Sequence, residues 1–183
     1  MIFLISEDTL KSEGLLDDNL YGGYIRPAIQ LAQDKGLQPA IGGVLYDKIC
    51  SLVADGTIRS VENAKYKTLL DDYIQPYLLH QVLYEVSIPS TFKFKNQGVV
   101  QASNEYTQIP SMKDLQYVVQ KYENDATFYL NRLTDYLVAH CTQYPEYHKH
   151  IDGKMDASKT SYDTGIYLGR RVSYSIRNDK PAE

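Results

Sequence analysis

The stretch from Ser111 to Tyr144 leaves this chain the least freedom. Ser111-Met112-Lys113-Asp114 sets a hydroxyl three residues ahead of a carboxylate, the pattern by which side chains satisfy the open N–H groups of a helix start. Leu115, Val118, Val119, Tyr122, Ala126, Tyr129, Leu130, Leu133, Leu137, Cys141 and Tyr144 then recur at helical spacing until Pro145. The spacing predicts a single helix over Ser111–Tyr144, about 50 Å long at the standard rise. One apolar stripe on so long a helix must be covered by other helices or by another molecule.

The rest of the chain supplies such helices. Leu20 to Lys35 carries apolar residues at helical spacing and Gly36 reads as its stop. Gln38-Pro39 opens a second helix, with Ile41, Val44, Leu45, Ile49, Leu52 and Val53 as its stripe and Asp55-Gly56 as its end. The pair Gly42-Gly43 lowers helix propensity by roughly 1 kcal/mol per residue relative to Ala, which close helix packing explains better than phosphate binding. From Val61 to Val86 the period holds, with a bend expected at Pro76, and Tyr73-Ile74-Gln75-Pro76 matches Tyr24-Ile25-Arg26-Pro27 too briefly to be a repeat. Before residue 20, Met1 to Ser6 reads as a short extended lead, with Glu7, Asp8, Asp17 and Asp18 near a helix start.

Between the long helical stretches lies FKFKNQGVV. Phe92 and Phe94 alternate with Lys93 and Lys95, and Val99 and Val100 follow Gly98, which can supply the positive φ of a three-residue hairpin loop. A lone hairpin is marginal in water and has to lie on something, either its own helices or a neighbouring subunit. After Pro145 the helical pattern gives way to Gly, Ser, Asp and Lys, and short strand-like alternation returns at Ile166-Tyr167-Leu168 and at Val172 to Ile176. Such a tail orders itself on a partner or stays free, and its aromatic content favours a partner. The expected organisation is mainly α: a helical bundle with two long helices, an inserted hairpin at about 91–103, and a division into a domain over 1–150 and an extended C-terminal arm over 151–183.

Composition narrows function. A chain of 183 residues, 43% hydrophobic, supports one ordinary core. The net charge of −4 gives no general attraction to nucleic acid, so the cluster Arg170-Arg171 with Arg177 and the interleaved Tyr167 and Tyr174, the one stretch that resembles a nucleic-acid contact, reads rather as a contact with acidic residues of a protein partner. No apolar run is long enough to cross a bilayer, and the N-terminus lacks the pattern of a signal peptide. The two cysteines sit at apolar-face positions, where a thiol acts as a small hydrophobe, and point weakly to a reducing compartment. Seventeen tyrosines with no tryptophan suit surfaces buried on assembly, or a core that tolerates hydroxyls at its edge.

Catalytic signatures are missing: no phosphate-cradling loop, nucleophile elbow, HExxH or paired CxxC is present. His140, His148 and His150 with Asp152 form the one candidate metal set, read as solvated side chains around a helix end, and His80 reads as an edge or core histidine. No enzyme activity, metal or cofactor is expected.

The segment YIRPAIQLAQDKGLQPAIGGVLYDKI, then YIQPYLLHQVLYEV, then FKFKNQGVV, then a long helix, resembles the head–tail connector proteins of tailed bacteriophages, most closely the type of phages of Bacteroidetes, including crAss-like phages. The resemblance covers approximately Leu15 to Tyr144, and it departs from the family's usual pattern at Gly42-Gly43-Val44. It implies a structural virion protein, made in the bacterial host cytoplasm. Its copies, commonly twelve, form a ring under the portal protein, extend the DNA channel and offer a docking surface to a tail or stopper protein. DNA would pass without sequence-specific binding, and no membrane is involved. On that reading Phe92, Phe94, Gly98, Val99 and Val100 of the hairpin and Tyr167, Leu168, Arg170, Arg171 and Tyr174 of the arm are the assembly contacts. The alternatives are a helical regulatory or scaffolding protein with a single protein partner, and a small metal-dependent enzyme using the His148 to His150 region.

Overall fold

A computed structural model describes residues 2–13, 16–17, 20–95, 98–101, 111–147, 150–151 and 153–158. The chain is mainly helical. Its helices are α1 (Glu7–Glu13), α2 (Gly22–Leu31), α3 (Gln38–Ile41), α4 (Gly43–Ala54), α5 (Ala64–Leu69), α6 (Gln75–Thr91) and α7 (Met112–Ala139). Strands β1 (Phe92–Lys95) and β2 (Gly98–Gln101) pair antiparallel between α6 and α7.

The helix starts and stops depart from the sequence reading in instructive ways. Gly36 does not end a helix; α2 continues through a π turn, Ala32–Leu37, directly into α3. A side chain built at Gly36 would collide with the hydroxyl of buried Tyr77, so the glycine makes room for α6. The expected single helix after Pro39 breaks at Gly42, whose φ of 81° and ψ of 151° separate α3 from α4. Where a bend is expected at Pro76, a second π turn, Leu70–Ile74, stands immediately before α6. Pro76 then occupies the first turn of α6, where its missing N–H goes unnoticed. The π turn precedes Pro76 and follows Pro27, so the two similar tetrapeptides do different things.

Helix α7 starts as expected: the Ser111 hydroxyl accepts the Asp114 N–H at 3.2 Å. It ends earlier than expected, at Ala139, because the chain turns so that Tyr144 and Tyr147 enter the core. The Tyr144 hydroxyl donates to the Lys65 carbonyl at 2.8 Å, and Tyr66 donates to Glu146 at 2.9 Å. Helix α6, together with the π turn that leads into it, runs antiparallel to α7, since Tyr73 of that turn stacks on Tyr136 at 4.0 Å and His80 on Tyr129 at 4.8 Å. Each step is seven residues, forward on one helix and backward on the other, which is the repeat of an antiparallel coiled-coil seam.

One apolar core joins the elements, from Leu4 and Ile5 to Tyr147. The N-terminal lead belongs to it through Gln33, which has no exposed surface. The Gln33 amide accepts the Leu4 N–H at 2.9 Å and donates to the Ile2 carbonyl at 3.1 Å and to the Tyr46 hydroxyl at 2.9 Å. Burial pushes the Tyr46 phenol up to about 12, so it is neutral in this network. Among the described residues, five tyrosines, at 46, 66, 77, 144 and 147, are interior, so part of the tyrosine-rich composition serves the body.

Candidate assembly interface

The contacts expected from the sequence fall on the hairpin and on the segment after Pro145, and helix α7 adds exposed apolar side chains of its own. In the hairpin, Phe92 pairs with Gln101, Lys93 with Val100, Phe94 with Val99 and Lys95 with Gly98. Gly98 is therefore a strand position opposite Lys95, and the connection is two residues rather than the expected three. Phe92, at the junction with α6, is half-buried. Phe94, Val99 and Val100 lie along the same two-stranded backbone ladder.

On α7 the stripe read from the sequence is covered only in its C-terminal half. The buried positions are Ala126, Leu133, Thr134 and Leu137. Toward the N-terminus Leu115, Val119 and Tyr122 are half-buried and Val118 is 41% exposed. Met112, Tyr117, Phe128 and Val138 are also exposed, between 53% and 75%. Sequence reasoning missed Tyr117 and Phe128, which fall off the main stripe; their spacing of three helical turns on a polar face was the available signal.

The segment after Pro145 holds the largest surprise. Residues 153–158, assigned from the sequence to the start of the arm, are fastened to the helical body as a strap. The Gly43 N–H donates to the Met155 carbonyl at 2.7 Å, and the Ser158 N–H and hydroxyl both reach the Pro39 carbonyl, at 2.8 and 2.9 Å. Lys154 forms an ion pair with Asp47 at 2.5 Å. A Cβ on Gly42 would stand 3.0 Å from the Ala157 nitrogen, and one on Gly43 would stand 3.2 Å from the Met155 nitrogen. The glycine pair is thus a saddle for a crossing main chain, not a helix-packing contact as read from the sequence. The expected contact residues Tyr167, Leu168, Arg170, Arg171 and Tyr174 lie outside the described residues.

Among the described residues, chemistry-bearing side chains do not converge: no group of three or more His, Cys, Asp or Glu is placed to hold a metal ion. His148 and Asp152 lie outside the described residues; His140 bonds its Nδ1 to the Tyr136 carbonyl, and His150 lies 2.9 Å from Asp156. A cleft of about 880 Å³ opens between the N-terminal lead, α2 and the region from α4 to α6. Its charged walls include Arg26 paired with Glu7 and Lys67 paired with Asp71, along with exposed Arg59. No helix among the described residues is long and apolar enough to cross a membrane.

Comparison with curated proteins and with solved structures gives no match. Residues 37–156 match the model of a family of unknown function, DUF6712, which spans most of the chain and runs from the saddle to the strap. The chain belongs to the DUF6712 family.

Proposed function

We propose that the protein is a structural virion component, a head–tail connector whose copies form a ring under the portal and extend the DNA channel. The two long helices are then the body, the hairpin of Phe92 to Val100 one contact with a neighbour or the portal, and the residues beyond Ser158 an arm. What carries the reading is the outer helix α7: capped and regular over 28 residues, it exposes Met112, Tyr117, Val118, Phe128 and Val138. Apolar side chains held on a regular helix without cover suit a surface completed by another subunit. The resemblance of the segments YIRPAIQLAQDKG and FKFKNQGVV to phage connectors supports the same reading. A ring needs two different complementary surfaces on each subunit, and α7 and the hairpin are candidates for separate ones.

Native mass measured over a concentration series, alone and with the portal protein encoded nearest to this gene, tests the proposal. A closed oligomer, or a portal complex of matching copy number, is the expected outcome. A monomer indifferent to the portal overturns it. The second reading, a helical scaffold with one protein partner, is favoured by the cleft near Arg59, whose volume is ample for part of a partner chain. Under that reading a one-to-one complex forms with no ring.

A further inference from the structure

The strap and the saddle form a donor and an acceptor of different shape within one chain. The donor is the main chain of residues 153–158; the acceptor is the α3–α4 joint with Pro39, Gly42, Gly43 and Asp47. Gly42 cannot be replaced without strain at its φ of 81°, and a Cβ on Gly43 would press on the Met155 main chain at 3.2 Å, so the acceptor fits this backbone closely. The strap itself contributes little burial: Gly153, Lys154, Met155, Asp156 and Ser158 are exposed, and only Ala157 is half-buried against the core. Its attachment therefore rests on main-chain hydrogen bonds, the Ser158 hydroxyl and one ion pair, all of which a strap from another molecule would make equally well.

We propose that the saddle is an intersubunit docking site and that, on assembly, it receives the 153–158 strap of a neighbouring copy. The inference rests on the ring reading, and it names the contact that would link one copy to the next. Exchange of an identical segment replaces each internal contact with the same contact between molecules, so its enthalpic cost is near zero. What favours the internal form in a free chain is the effective concentration supplied by residues 148–152, which connect buried Tyr147 to Gly153. A short covalent tether raises the effective concentration of the strap, and a neighbour held in place within a ring raises it as well. Each copy carries one strap and one saddle, so each can give once and receive once, which is what propagation around a ring requires.

The test uses two full-length variants, Asp47→Cys and Lys154→Cys, each in a Cys50→Ser, Cys141→Ser background, co-expressed with different tags and treated with a short bismaleimide. Neither chain can link these sites internally, so a covalent pair of the two tags in the assembled oligomer is the expected result. A double variant carrying both cysteines in one chain checks that the reagent spans the gap. An assembled oligomer in which the double variant links within the chain and the mixed pair does not link overturns the exchange while leaving the ring reading intact. Mixed linkage in a simple dimer that ignores the portal supports the exchange and removes the connector reading. Should the cysteine-free background fail to fold, a photo-crosslinking residue at exposed Met155 in the otherwise native chain replaces it. Isotope-mixed peptides joining residue 155 to the 39–47 region of another copy are then expected, and unmixed peptides alone overturn the proposal.

Discussion

Gln33 is a polar side chain with no exposed surface, and its amide meets three partners: the Leu4 N–H, the Ile2 carbonyl and the Tyr46 hydroxyl. Replacing it with Leu leaves those groups buried and unpaired, at a cost of about 3 kcal/mol, while Tyr46→Phe removes one bond for about 1 kcal/mol. Urea unfolding of the two variants should show this ranking, and a Gln33→Leu protein as stable as Tyr46→Phe would contradict the network. Gly36→Ala should cost about 1–3 kcal/mol by overpacking against the Tyr77 hydroxyl. Tyr77→Phe in the same chain should recover much of that loss, a coupling that a double-mutant cycle measures. Neither role was legible in the sequence. A glutamine within an apolar stripe looks like a solvent-facing break in the pattern, and a glycine after one looks like a helix stop, because period alone says nothing of what approaches from a distant element.

Helix α7 was the most legible element, yet its period could not say how much of its stripe would be covered. The reason is the length of its partner. Extending the seven-residue step from Tyr73–Tyr136 and His80–Tyr129 sets Ser87 across from Tyr122, so α6 runs out near Val118 and the first turns of α7 pass beyond it. The capping hydroxyl was legible, and Ser111→Ala should cost about 1 kcal/mol, seen as lower thermal stability with α7 otherwise intact. The seam also carries a pH response. Burial holds His80 below its ordinary 6.5, partly opposed by Asp125 at 4.0 Å; Lys121 also lowers it. Its Nδ1 is buried with no hydrogen-bond partner. The unfolded chain therefore takes up the proton more readily, and the contribution of neutral His80 is present above pH 6.5 and lost as pH falls below it. Unfolding followed from pH 7.5 to 5 should show stability decreasing toward acid, with a shallower slope in His80→Gln. Equal slopes would remove His80 from the response.

At the scale of the whole molecule, the division read from the sequence at residue 150 falls inside a stretch that the body holds. Composition placed it there because Gly, Ser, Asp and Lys dominate after Pro145, and composition carries no record of main-chain bonds to a saddle more than a hundred residues away. Every core residue among the described residues precedes Ser158, so removing 159–183 should leave helicity unchanged by circular dichroism and weaken assembly alone. Unfolding on that truncation would show that the arm belongs to the body. The strap has one more consequence, in time rather than space. Ser158 meets a residue 119 positions earlier in the chain, and Lys154 one 107 positions earlier. Contacts of such separation form late, after local helices have paired. During synthesis the helices up to α7 can fold while the saddle is still empty, and only when residue 158 has emerged can it be filled from within the same chain. Each newly made copy thus passes through an interval with an open acceptor and no donor of its own, so the order in which residues leave the ribosome bears on whether a subunit closes on itself or on a neighbour.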